Sequence, residues 1–171
     1  MSDAGPVVRI RPAVAGDGDA MWRLFKSAIA RGDALPFDED FDRATFQAHW
    51  FTTQAAYVAT QGAALLGMYK LGANYPGRGA HVASATYLVD PAEQGKGIGR
   101  ALVLHSLEQA RSEGYLAMQF NYVVGSNAPA VALYKKLGFA IVGTLPKAFR
   151  HQELGLVDAY VMFRTLQGQA E

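Results

Sequence analysis

Cysteine is missing from all 171 residues. That excludes a disulfide framework, a cysteine nucleophile and any thiolate metal site. Charge is scarce and almost balanced: 16 Lys and Arg stand against 15 Asp and Glu, a formal net charge of +1. Such a balance supplies no field to draw the chain to nucleic acid or to an anionic membrane. No apolar run approaches the roughly 18–20 residues a membrane span needs, and Met1 to Pro12 holds no apolar run of the secretion-signal kind. His49, His81, His105 and His151 share no metal-ligand spacing. These absences leave the expectation of a cytoplasmic protein that uses no metal and binds neither nucleic acid nor membrane.

What is present is material for a core. Half of the residues are hydrophobic, which suffices for a single domain of this length, and no linker or repeat divides residues 1–171. Val7 to Ile10 reads as a short strand ended by Pro12. Met21, Leu24, Phe25, Ala28 and Ile29 recur at helical spacing, with Asp17 or Asp19 to cap the helix and Gly32 to end it. A second helix is expected from about Asp40 to Trp50. Tyr57 to Thr60 and Ala63 to Leu71 read as a hairpin turning at Gln61-Gly62. Gly72 to Gly79 reads as a loop, and His81 to Val89 as a strand stopped by Asp90-Pro91. A helix from about Gly97 to Glu113 and a strand from Leu116 to Val124 follow. A short helix then carries Ala130, Leu133, Tyr134 and Leu137, with Gly138 at its end. Strands Phe139 to Thr144 and Val157 to Arg164 complete the order β-α-α-β-β-β-α-β-α-β-β. The pattern predicts an α/β fold, a mixed central sheet flanked by helices on both faces.

One segment carries chemistry: Tyr87-Leu88-Val89-Asp90-Pro91-Ala92-Glu93-Gln94-Gly95-Lys96-Gly97-Ile98-Gly99-Arg100. It joins a strand to the start of a helix. The first N–H groups of a helix lack internal partners, and the helix dipole places partial positive charge there. Such an end suits a pyrophosphate. Gly95, Gly97 and Gly99 let main chain approach phosphate oxygens, and Lys96 and Arg100 add charge. On the glycines alone, a tight turn with close helix packing is the other reading. The spacing Gly-x-Gly-x-Gly fits neither a P-loop nor the Gly-x-Gly-x-x-Gly of a dinucleotide fold.

Gln94-Gly95-Lys96-Gly97-Ile98-Gly99 resembles the Gln/Arg-x-x-Gly-x-Gly/Ala signature of the GNAT N-acetyltransferase superfamily. Asn127-x-x-Ala130-x-x-Leu133-Tyr134-x-x-Leu137-Gly138-Phe139 resembles a second motif of that family, at the family's distance. The likeness is clearest from His81 to Gly143. It implies one GNAT-type domain over residues 1–171, with acetyl-CoA as co-substrate and an amine as acceptor.

By that resemblance, Gln94, Gly95, Lys96, Gly97, Ile98 and Gly99, with Arg100 beside them, wrap the coenzyme pyrophosphate. The main chain of Tyr87, Leu88 and Val89 pairs with the pantetheine arm as with an added strand, and the Leu88 N–H is the first choice to face the thioester oxygen. Asn127 contacts coenzyme or substrate, with a helix N-cap as its other reading. Tyr134, also bordering the coenzyme, occupies the place of the general acid. The departing thiolate needs a proton, and a phenol with a pKa of about 10 can give one at pH 7. A plain core aromatic is its other reading.

The carboxylate base that many relatives carry on the strand matching His81 to Val89 is absent. A water relay is the first expectation in its place and His81 the second. His81 is also a candidate substrate contact, against the reading of a partly buried strand histidine. Phe120-Asn121-Tyr122-Val123-Val124, Asn127 and the stretch Gly143 to Arg150 resemble the branch that includes azetidine-2-carboxylate N-acetyltransferases, which act on a proline analogue. Asn121 would then touch the substrate, or else satisfy main-chain groups at a strand end. Lys147, Arg150 and His151 form a local basic cluster that could attract a carboxylate-bearing substrate or the coenzyme phosphates, with a solvated loop as the reading preferred for each. The acceptor implied is a small amine, an amino acid or an amino-acid-like toxin. Two other readings stand beside it: a protein N-terminus or lysine as acceptor, and a non-catalytic domain that binds acyl-CoA. A homodimer is carried as an open partner assignment.

Overall fold

Residues 7–52 and 54–166 are described by the structure, a computed structural model. Part of the Met1 to Pro12 segment and the outer ends of the 1–171 domain lie outside the described residues.

Helix α1 (Gly18–Arg31) buries Met21, Leu24, Phe25, Ala28 and Ile29, the face its periodicity predicts, and closes on Gly32 at φ 59°. Helix α2 (Arg43–Phe51) starts later than Asp40 because Asp42 is its cap, accepting from the Thr45 N–H at 2.8 Å. Strand β1 (Arg9–Pro12) runs two residues beyond the expected one and includes Pro12. Proline is tolerated there because β1 is an edge strand, paired only with β2 (Ala55–Gln61). A turn at Gly62, with φ 58°, leads into β3 (Ala64–Ala73). Strand β4 (Val82–Val89) and helix α3 (Ile98–Ser112) follow, then β5 (Ala117–Val124) and α4 (Ala128–Lys136).

The last two strands, β6 (Ala140–His151) and β7 (Gly155–Thr165), outrun expectation. Pro146 and Lys147 do not end β6. The ladder shifts register between Leu145 and Phe149 instead, and Lys147 takes φ 52° while its N–H donates to Asp158 Oδ1 at 2.9 Å. Arg150 and His151 therefore lie in a strand rather than a solvated loop.

The seven strands form one sheet in the order β1-β2-β3-β4-β5-β7-β6. Helices α1 and α2 cover one face, with Phe25, Phe46 and Trp50 packed on Val58, Met68 and Leu88. Helix α3 covers the other through Leu102, Val103, Leu107 and Ala110, with Leu133 and Tyr134 of α4, and Leu137 that caps it, alongside. Each large apolar side chain so buried contributes roughly 1.5–3 kcal/mol. The fold is thus the α/β arrangement the element order predicts. Among the described residues, no helix is long and apolar enough to cross a membrane.

One discontinuity positions the site. Among the described residues, strands β4 and β5 are the only parallel neighbours, and they pair at just two positions, Val82↔Ala117 and Ala83↔Met118. Beyond these, β4 stays with β3 as far as Val89 and β5 stays with β7 as far as Val124. The sheet therefore splits into a cleft. Within β5 the register against β7 shifts between Phe120 and Val123, so Asn121 and Tyr122 together oppose Val161. Such a bulge bends a strand and re-aims its side chains.

Candidate active site

The cleft exposes one edge of β4. Asp90 donates to the Leu66 carbonyl at 2.8 Å and Asn74 to the Val82 carbonyl at 2.8 Å, at the two ends of an unbroken β3–β4 register. Peptide directions alternate along an antiparallel ladder. Thr86 and Leu88 therefore turn their N–H and C=O toward β3, and Ala85, Tyr87 and Val89 turn theirs toward the cleft. This corrects the expectation for Leu88: its N–H is committed to β3, and the cleft-facing donors are the Tyr87 and Val89 amides. Leu88 reaches the site with its side chain, on the α1–α2 face. The Tyr87 side chain is fully engaged elsewhere, its hydroxyl 2.6 Å from Ser106 Oγ and 3.6 Å from Met118 Sδ. Only its main chain is free for the cleft.

Past Val89 the chain enters the glycine loop. Gly95 and Gly97 hold φ 79° and 86°, the left-handed region that favours glycine, and a side-chain carbon at either would meet open space. Gly97 is the N-cap of α3 and brings no side-chain cap. The first amide of that helix with a main-chain acceptor is Ala101, bonded to the Gly97 carbonyl at 3.0 Å. The amides of Gly95, Gly97, Ile98, Gly99 and Arg100 have no hydrogen-bond acceptor among the described residues. Five unpaired donors at one helix end are the arrangement that suits an anion. The Arg100 guanidinium beside them makes no ion pair among the described residues, whereas Lys96 is tied to Glu93 at 3.2 Å. Gln94 opens the loop with its N–H bent back to the Pro91 carbonyl at 3.4 Å.

Where the strands part lies a cavity of about 320 Å³, walled by β4, β5, α4 and the segment 34–37. Tyr134 borders it from α4, its ring 4.6 Å from Phe120 and 6.2 Å from Tyr87. Burial holds its phenol well above the usual range, so it is protonated throughout neutral pH. Its hydroxyl makes no hydrogen bond among the described residues. Asn127 caps α4 by accepting from the Ala130 N–H at 3.4 Å and also lines the cavity, so capping does not withdraw it from the site. Asn121, re-aimed by the bulge, donates to Asn74 Oδ1 at 2.6 Å and accepts from Gln119 Nε2 at 2.8 Å. It is no simple strand-end residue.

Two expectations fail here. His81 precedes β4, is exposed, and lies at the end where β4 and β5 are still paired. It is not on the cavity wall, because the cleft opens at the other end of the strand. The second failure is one of omission. Lys70 of β3 lines the cavity at 6 % exposure, its Nζ 2.9 Å from His49 Nε2 and 3.2 Å from the His49 carbonyl. An ammonium only donates, so His49 Nε2 must accept, which places the His49 proton on Nδ1. Phe37 and Phe41 meet the His49 ring edge-on at 5.2 and 5.9 Å and hold it in place. Burial pushes the Lys70 pKa down to about 8. Burial, and the charge of Lys70, also lower that of His49. The signal was available: Lys70 is the sole charged residue between Ala63 and Gly72, and a strand covered on both faces has no place for a lysine unless a cavity receives it.

Against known proteins, the Acetyltransferase (GNAT) family matches residues 21–139. A GCN5-related N-acetyltransferase from Kribbella flavida superposes with a TM-score of 0.89 at 36% identity, over 92% of this chain and 97% of that one. N-acetyltransferase aca1 of Schizosaccharomyces pombe is 37% identical over 100 residues, 57% of this chain and 47% of the relative. A mycothiol acetyltransferase of Nocardiopsis dassonvillei is 34% identical over 148 residues, 80% of this chain and 44% of the relative. This chain thus spans less than half the length of either curated relative. A family match over most of the sequence, on a sheet that opens where the glycine loop begins, leaves one assignment: the chain belongs to the GNAT acetyltransferase family.

Proposed function

We propose that this chain transfers the acetyl group of acetyl-CoA to the amine of a small, amino-acid-like molecule, with Tyr134 as general acid. The observation that supports this reading is the Tyr134 hydroxyl: protonated, without a hydrogen bond among the described residues, and beside the cavity where the sheet splits. The residues present fit the coenzyme. The open amides from Gly95 to Arg100 suit a pyrophosphate, and the cleft edge of β4 offers alternate N–H and C=O groups to the amides of the pantetheine arm. The bound coenzyme supplies an activated thioester. The Tyr87 or Val89 N–H faces the cleft, where it can polarise a carbonyl oxygen. Tyr134 gives the departing sulfur its proton. No carboxylate lines the cavity among the described residues, and the acceptor lone pair of His49 is already used by Lys70. Solvent in the cavity therefore takes the proton of the incoming ammonium.

A cavity of about 320 Å³ bounded by the 34–37 segment favours a small acceptor over a folded protein surface. Thiol release from acetyl-CoA, measured across free amines, amino acids and peptides, tests the reading. Tyr134→Phe should lower kcat about 100-fold with acetyl-CoA affinity within twofold of the native chain, since the lost hydroxyl holds no structural bond. Unchanged turnover would remove Tyr134 from the mechanism. Release on peptides alone would replace the small acceptor by a protein one. Tight coenzyme binding with no release on any acceptor would leave a non-catalytic domain.

A further inference from the structure

The cavity wall is electrically lopsided. Its lining residues include one lysine and no aspartate, glutamate or arginine. A lysine taken out of water ordinarily finds a carboxylate, yet Lys70 contacts only a neutral imidazole and a carbonyl. Those contacts use two of its three N–H groups. The third has no acceptor among the described residues. The nearby aromatic ring of Trp50, 5.7 Å from Nζ, tempers the charge without cancelling it. His49, clamped by Phe37 and Phe41, fixes the direction of the ammonium.

Building on the acetyl-transfer reading above, we propose that the acceptor is an amino carboxylic acid, and that Lys70, aimed by His49, holds its carboxylate. One cation with one spare donor matches a monoanion, and a phosphate dianion would leave a second charge unbalanced in the same space. Tyr134 and Tyr87 border the same cavity, so a small zwitterion can place its carboxylate on Lys70 and its amine toward the thioester. Lys70 is thus a specificity residue and forms no bond to the reacting carbon.

The test pairs the proteinogenic amino acids with their carboxamides as acceptors, using thiol release and the full chain. The native chain should prefer the acid of each active pair. Lys70→Met, which keeps the apolar stem, should raise KM for the acid at least about tenfold with kcat changed less than threefold. Its kcat/KM for the carboxamide should stay near the native value, so the acid-to-amide preference collapses toward one. Acetyl-CoA affinity by calorimetry should be unchanged, which separates this effect from misfolding. His49→Gln, which keeps an acceptor near Lys70, should retain part of the preference. An acid-to-amide ratio unaltered by Lys70→Met overturns the proposal, as does an equal loss on acid and amide. A native chain that acetylates peptides or simple amines but no amino acid also overturns it while leaving acetyl transfer standing. Loss of coenzyme binding in the native chain would instead sink the reading beneath it.

Discussion

The two ends of the cleft are built from different materials. In the reading proposed here, coenzyme recognition rests on main chain: five open amides on one continuous turn, with glycine at the two positive-φ positions 95 and 97. At the acceptor end it comes from side chains brought together from distant stretches: His49 of α2, Lys70 of β3, Asn74 beyond it, and Asn121 in the β5 bulge. A cradle of amides accepts any diphosphate and is indifferent to what hangs from it. A desolvated lysine would discriminate, and that discrimination could be altered by one substitution without touching the cradle. The coenzyme end is therefore the generic part and the acceptor end the particular one.

The difference has a thermodynamic side. Open amides at a solvent-facing helix end cost little, because water satisfies them in the free protein. A buried ammonium without an anion costs a good deal. Lys70→Met should accordingly stabilise the free protein, by roughly 1–3 kcal/mol at pH 7 after the loss of its hydrogen bonds to His49 is deducted. The pH dependence gives the sign. In the unfolded chain Lys70 titrates near its ordinary 10.5, and in the fold burial brings it to about 8. Between these values the unfolded state holds a proton the fold does not, so native stability gains from rising pH in that window. Below about 8 the penalty is complete. The variant lacks this gain, and its advantage should shrink from pH 7 to pH 10. The other titratable residues lining the cavity are His49, Tyr87, Tyr122 and Tyr134, none anionic at neutral pH. Urea unfolding at the two pH values measures the gap. A variant less stable than the native chain at pH 7 would mean that Lys70 already has an anionic partner.

A somewhat smaller effect probes the other end. Gly97→Val places a β-branched residue at φ 86°, where it is strained by roughly 1–2 kcal/mol. The added carbon meets nothing within 4 Å, so the fold survives and the loop takes up the strain. Acetyl-CoA should bind about tenfold more weakly by calorimetry, while the acid-to-amide preference persists at saturating coenzyme. Loss of that preference would mean that the two ends are coupled and the contrast between them is false.

The same contrast explains what could be read from the sequence. The loop proposed to hold the coenzyme occupies six consecutive residues whose glycines announce it, and the periodicity of α1 marked its buried face with little error. The acceptor end has no local signature. Lys70 acquires meaning only once the sheet order buries β3 between helices and α2 sets His49 against it. The Leu88 amide was misdirected for a related reason: spacing along a strand locates a residue but not the direction of its peptide group, which the β3 ladder decides. The extension of β6 through Pro146 and Lys147 was hidden because its bulge is sustained by a partner, Asp158, eleven residues on.

The smallest expected effect concerns His81, the second choice of base in the sequence, which the fold sets away from the cavity. His81 shares the β4 segment with Tyr87 and Val89, yet it sits before the strand, at the closed end of the split, with its carbonyl bonded to the Leu116 N–H at 2.9 Å. That bond is made by main chain and survives any side chain. His81→Ala should therefore leave kcat/KM within twofold of native across pH 6 to 9, measured by thiol release on whichever acceptor proves active. A drop of tenfold or more would place a base at the wrong end of the cleft, and would require β4 and β5 to part along their whole length when substrate binds.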